Sequence, residues 1–219
     1  MIKKTVTLLS ICCMLYACDQ KKASDNPFFA EFQTEQGVPP FDLIKTEHYK
    51  PAFLKGIEEQ NRLIKAIVEN PEAPTFDNTI AALDNSSPLL DRVGGVFFNM
   101  TSAETTPELT ALASELSPIL AEHGDNITLN KALFDRVKAV YDQKETLNLT
   151  TEQARLLEKT YKSFVRSGIA LSEESQARLR EINKELSTLA LTFSDHILNE
   201  NNAFKLFVEK EEELAGLPD

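Results

Sequence analysis

The sequence predicts an all-α protein: an irregular bundle of antiparallel amphipathic helices, with one short β-strand near the C-terminus. Three observations predict it. Glycine occurs only 7 times in 219 residues and tryptophan not at all. With Leu, Ala, Glu and Lys abundant, that favours helix over a turn-rich β fold. From Phe53 to Ile197 the apolar residues recur at helical spacing. Segment after segment also opens on a residue able to cap a helix, two of them followed by proline.

The stretch Pro39 to Phe53 organises the chain. Pro39-Pro40 ends an extended arm, and Thr46 can cap the first helix, expected over about 47–70. Pro51 is tolerable there if it lies in or near the first turn, where its missing N–H has little helical bond to lose. The stripe is Phe53, Ile57, Gln60, Ile64 and Ile67, widened by Leu63 and Val68, and Pro71 and Pro74 end it. Thr75 caps a helix carrying Phe76, Ile80 and Leu83. Pro88 takes the first position of the next, whose stripe is Leu89, Leu90, Val93, Phe97 and Met100. Its Gly94-Gly95 pair reads as a place of close helix packing, because no strand precedes it as a phosphate loop requires.

Thr106-Pro107 repeats the cap-plus-proline start for Leu109, Leu112, Leu116, Ile119 and Leu120, and Pro118 is expected to kink or divide that helix. Asn130 opens a helix with Leu133, Phe134, Val137, Val140 and Tyr141. Thr150 and Gln153 resemble a capping box for Leu157, Tyr161, Phe164 and Val165, and Gly168 suits the end of that helix. Ser172 starts the longest helix, about 173–200, with the stripe Leu179, Ile182, Leu186, Leu189, Ala190, Phe193 and Ile197. Residues 203–208, Ala-Phe-Lys-Leu-Phe-Val, change period and predict the short strand.

Residues 1–17 read as a signal peptide: Lys3 and Lys4, then an apolar run too short to span a bilayer. Ala17-Cys18 after that run looks like a bacterial lipobox, in which the Cys18 thiol and the freed amine are acylated, giving a stable membrane anchor. Tyr16 is bulkier than such sites usually carry, and a plain signal peptide with a coincidental cysteine is the simpler alternative. Cys12 and Cys13 leave with the signal, so the mature chain keeps Cys18 alone and forms no internal disulfide. Residues 18–26 read as a lipidated tether and 27–219 as the helical region. Phe28, Phe29 and Phe32 need burial, so the arm that carries them is expected to pack across the helices. The implied location is the bacterial cell envelope, facing the periplasm or the cell surface. The formal charge of −11 becomes −13 when Lys3 and Lys4 are removed, which argues against a nucleic-acid partner.

The residues themselves contain no complete reaction centre. His48, His123 and His196 have no second histidine at metal-ligand spacing, and His-Glu-x-x-His is absent. There is no Gly-x-Ser-x-Gly, P-loop or dinucleotide fingerprint. No catalytic and no metal residue is assigned; Cys18 is the one site residue, for lipidation.

The runs Asn26-Pro27-Phe28-Phe29, Val38-Pro39-Pro40-Phe41-Asp42 and Glu47-His48-Tyr49 with Pro51-Ala52-Phe53 resemble the mature start of bacterial peptidyl-dipeptidases, members of the thimet oligopeptidase-like zinc metallopeptidases. Asn70 to Phe76 with Asn78-Thr79-Ile80, Val96 to Asn99, Phe134 with Arg136-Val137, Ser167 to Ser172 and Leu214 to Pro218 extend the similarity over nearly all of the mature chain. The resemblance implies two helical lobes around a deep channel and one zinc held by His-Glu-x-x-His and a distant glutamate. That zinc site lies in a later part of the family's chain. By position this chain is similar to the N-terminal part, which walls the channel, so the implied cofactor is zinc in the full-length family and none in this chain. Peptides are the implied partners, together with the missing catalytic portion and, through Cys18, a membrane. The expected function is an inactive fragment of an exported peptidyl-dipeptidase, from a truncated, split or frameshifted reading frame. The alternative is a membrane-tethered, non-catalytic helical module that binds peptides or a protein.

Overall fold

A computed structural model describes residues 26–216, and among them it contains helices and turns but no strand. Six helices carry the architecture: α1 (Thr46–Val68), α2 (Pro88–Ala103), α3 (Pro107–Thr128), α4 (Lys131–Asp142), α5 (Thr151–Arg166) and α6 (Glu173–Ala203). Between α1 and α2 a π-helical segment, Phe76–Ala81, runs into a short α turn, Ala82–Asp84. The expected cap residues do their work. Thr106, Asn130, Thr150 and Ser172 each accept a hydrogen bond from a backbone N–H three residues on, and Gly168 takes a positive φ of 86° past the end of α5.

Helix α1 is the spine. Its first half packs against α2, and α3 and α4 also lie against it. The buried side chains form two clusters, one at each end of α1. The first joins Phe28, Tyr49 and Phe53 to Val93 and Phe97 of α2 and Leu116 of α3. The second joins Ile64 and Ile67 to Ile80, Leu133 and Val137 of α4, and Leu157 and Phe164 of α5. All belong to the predicted stripes except Phe28, which the arm supplies, and Tyr49. The arm docks as expected. Phe28 is fully buried with its ring 5.3 Å from that of Tyr49, and Arg92 Nη1 donates to the Phe28 carbonyl at 2.9 Å. Asn26 is itself bound to this body, its Nδ2 donating to the His48 carbonyl at 2.8 Å.

Several expectations change. Thr46 is the first residue of α1 rather than its cap; the N–H of Lys45 donates to His48 Nδ1 at 3.0 Å instead. Pro51 is therefore the sixth helical residue, and its ring removes a bond to the Glu47 carbonyl. Both residues face solvent, which leaves that carbonyl open to water and keeps the lost bond cheap. Pro118 does not divide α3, which is continuous from Pro107 to Thr128. The tight helix approach lies not at Gly94-Gly95 but at Gly56: a Cβ there would stand 2.8 Å from Leu90 Cγ and 3.1 Å from the Leu90 nitrogen. A Cβ on Gly94 meets only ordinary contacts, and one on Gly95 meets none within 4 Å.

The predicted strand over 203–208 does not form. Ala203 is the last residue of α6, and Phe204 turns extended (φ −63°, ψ 128°) without a pairing segment beside it. A strand exists only as half of a ladder, and no neighbour supplies the other half among the described residues.

Arg136 explains two of the sequence runs at once. From α4 its Nη1 donates to the carbonyls of Asn70 (2.9 Å) and Glu72 (3.2 Å), and its Nη2 donates to Asn78 Oδ1 (3.2 Å). Asn78 in turn accepts from the Thr75 N–H and donates to the Ala73 carbonyl. The loop after α1 is thus clasped from one guanidinium. Arg136→Ala is expected to cost about 2–3 kcal/mol, because three acceptors lose a charged donor together. Arg136→Lys recovers little of it, since a point charge does not reproduce the fork. Urea denaturation of both variants checks this; a lysine variant as stable as the parent would refute the clasp.

Candidate functional site

The residues singled out for chemistry do not converge. His48 sits in the first turn of α1, where it serves the helix start. His196 lies exposed on α6 beside Asp195. His123 is buried on α3, five residues before its end at Thr128. Its Nε2 lies 2.7 Å from Gln60 Oε1, Gln60 Nε2 donates to Ser86 Oγ at 3.0 Å, and Ser86 Oγ donates to the Leu83 carbonyl at 2.7 Å. This relay fills the waist of α1 between the two apolar clusters. It also accounts for Gln60 within an apolar stripe, the one signal in the sequence that could have revealed it. Cys18 lies outside the described residues.

Burial pushes the His123 imidazole below the usual histidine range. The unfolded chain therefore takes up a proton near pH 6.5 that the folded chain refuses. Stability from this site is level above about pH 6.5 and falls as the pH drops below it. Compared with His123→Gln, the parent is expected to lose stability between about pH 6.5 and 5 and to keep a constant difference at pH 7–8. Denaturation across that range checks it; parallel curves would refute the assignment.

The most open chemistry lies on α6, which packs along α3. The side of α6 turned to α3 is polar. Ser117 Oγ donates to the Ser187 carbonyl (3.0 Å), Asn183 Nδ2 donates to Asp125 Oδ1 (2.7 Å), and Arg180 Nη1 donates to Asn126 Oδ1 (2.8 Å). Leu191 adds an apolar contact to the first cluster. The predicted stripe points the other way. Leu186, Leu189 and Phe193 are 55%, 53% and 66% exposed, and Ile182 and Ile197 are exposed with them. Sequence reading missed this seam; its only trace is the four-residue spacing of Asn183, Ser187, Leu191 and Asp195. Two open clefts lie on the body, and of these only the second borders α6. One is bordered by Phe32, Pro39, Phe41, Arg92, Val96 and Asn99, the other by Phe98, Thr101, Thr105, Thr110, Leu191 and Asp195. The second is also lined by Ser194, but its hydroxyl donates to the Ala190 carbonyl rather than to Asp195.

A family model described as "Neurolysin/Thimet oligopeptidase, N-terminal domain" matches residues 53–176. The chain belongs to the neurolysin/thimet oligopeptidase family. Among its relatives, dipeptidyl carboxypeptidase of Escherichia coli K12 is 40% identical over 194 residues, 89% of this chain and 28% of that protein. The Salmonella typhimurium dipeptidyl carboxypeptidase is 42% identical over the same shares. Oligopeptidase A of Haemophilus influenzae is 32% identical over 184 residues, 84% of this chain and 27% of that protein. The chain therefore spans little more than a quarter of the length of the relatives it matches.

Within the thimet oligopeptidase family frame, the runs that carried the resemblance have structural jobs: Asn26 to Phe29 docks the arm, and Asn70 to Phe76 with Arg136 forms the clasp. The zinc centre that the resemblance implies does not fit the donors present. Among the described residues no three His, Cys, Asp or Glu side chains lie close enough to share a metal ion, and the three histidines stand on three different helices. No described helix is long and apolar enough to cross a membrane.

Proposed function

We propose that this chain is the N-terminal, channel-wall portion of an exported zinc metallopeptidase that releases dipeptides from peptide C-termini, with zinc and its ligands supplied by sequence outside this chain. The observation that carries the reading is the 40–42% identity to two dipeptidyl carboxypeptidases over 89% of this chain and only 28% of each of them. The chain contributes walls and a docked arm; the hydrolysis belongs to the partner sequence.

The test is a fusion in which residues 27–219 replace the matched portion of the Escherichia coli dipeptidyl carboxypeptidase. The fusion is expected to release dipeptides from short peptides and to lose that activity on chelation, while the 219-residue chain alone releases none. Release by the chain alone would defeat the reading, as would a folded fusion with no activity.

Export and anchoring are part of the same proposal. Lys3, Lys4, the apolar run and Ala17-Cys18 support a lipid on Cys18 and a place in the cell envelope. Cells fed a labelled fatty acid are expected to mark the chain, and Cys18→Ser is expected to abolish the label. A label that survives the substitution would refute the site.

A further inference from the structure

We propose that the outward stripe of α6, Ile182, Leu186, Leu189, Phe193 and Ile197, continued by Phe204, is the docking surface for the remainder of the peptidase chain; this rests on the function proposed above. The first support is the orientation of α6. A helix that merely closed the body would turn its apolar stripe inward, since burying each such side chain is worth about 1.5–3 kcal/mol. Instead the stripe is exposed, and Ser117, Asp125 and Asn126 of α3 hold the polar side of α6. Hydrogen bonds fix the rotation of the helix and leave its apolar face for something else.

The second support is size. At roughly 150–200 Å² per large apolar side chain, the exposed parts of the five stripe residues come to on the order of 450 Å², within the range of functional surface patches, and Phe204, Leu206 and Phe207 expose further apolar surface just past the helix. The stripe alone covers about half of one side of a standard stable interface.

The third support is position. The match to the N-terminal domain ends at residue 176, just inside α6, which begins at Glu173. The relatives are 28% matched, which leaves 72% of their length unmatched. In a protein whose matched part is its N-terminal domain, that sequence follows the matched part, beyond α6. The stripe and the unpaired segment after Ala203 therefore lie where the remainder must meet this body. A second copy of the chain is a poorer occupant, because a mature charge of −13 opposes self-association.

Hydrogen exchange on the same fusion, compared with the 219-residue chain alone, tests the surface separately from the activity. Amides of residues 179–200 are expected to exchange at least about tenfold more slowly in the fusion. Leu186→Glu and Phe193→Glu are expected to erase that protection and to lower dipeptide release at least about tenfold. In the chain alone they leave the melting temperature nearly unchanged, because both side chains already face water. If the fusion does not fold, the chain mixed with the separately expressed remainder is measured for the same protection. Equal exchange with and without the remainder overturns the inference, and so does an active fusion indifferent to both glutamates. A concentration-dependent dimer of the chain that protects the stripe overturns it as well, by naming a different occupant. Protection of α6 in a fusion that releases no dipeptide would leave this surface standing and remove the peptidase reading instead.

Discussion

Phe97→Ala is expected to lower the stability of the chain by about 3–5 kcal/mol. The ring is fully buried on α2, with centroids 5.0 Å from Tyr49, 5.4 Å from Phe53 and 5.4 Å from Phe98. Three of these contacts are edge-to-face, the arrangement that the aromatic quadrupole favours. Alanine would leave a void among side chains of α1, α2 and the arm that are held by their own helices and collapse poorly. Against a total stability of about 5–15 kcal/mol, that loss is a large fraction. Urea denaturation measures it directly, and Phe97→Leu, which retains most of the volume, is expected to cost markedly less. Phe98→Ala serves as the control, because that ring is half exposed on the same helix. A Phe97 variant no less stable than the Phe98 variant would refute the packing.

Phe28→Ala carries an effect of similar size, about 3–4 kcal/mol, by a different route. Phe28 is the anchor of the arm: fully buried, stacked obliquely on Tyr49, and tied by its carbonyl to Arg92. Within residues 30–38 only Phe32 packs back on the first cluster, beside Phe28, and the rest are exposed. Loss of the ring is expected to free this segment before the helices melt. Limited proteolysis should therefore cut between Glu31 and Gln36 several-fold faster in the variant, while helical content in mild conditions is retained. Arg92→Ala should produce a weaker version of the same pattern. Unchanged cleavage in Phe28→Ala would show that the arm is held by other contacts.

Local signals in the chain were sufficient wherever a helix decides its own fate. The caps at Thr106, Asn130, Thr150 and Ser172 and the glycine after α5 rest on side chains and backbone within three or four residues, so they are legible without a fold. The stripes on α1, α2, α4 and α5 face the clusters because those helices have apolar neighbours to meet. Thr46 and Pro118 were misread locally, since Lys45 rather than Thr46 precedes α1 and α3 runs on through Pro118; the other misreadings concern distant partners. Nothing near Gly56 announces Leu90, which stands 34 positions away, and nothing near His123 announces Gln60. The strand over 203–208 failed for the same reason: β propensity is a preference, and a ladder needs a second segment.

What the sequence determined by itself was the helical class, the order of the helices with most of their caps, and the residues that mark the family. The period of the apolar stripe on α6 was equally plain. Which way that stripe faces was decided only by the tertiary structure. The rotation of a helix about its axis depends on which neighbour it meets, and α3 meets α6 with Ser117, Asp125 and Asn126. Of those polar groups Asp125 is buried and costly to leave unpaired; together they bind the polar side of α6 and leave Leu186, Leu189 and Phe193 on the outside.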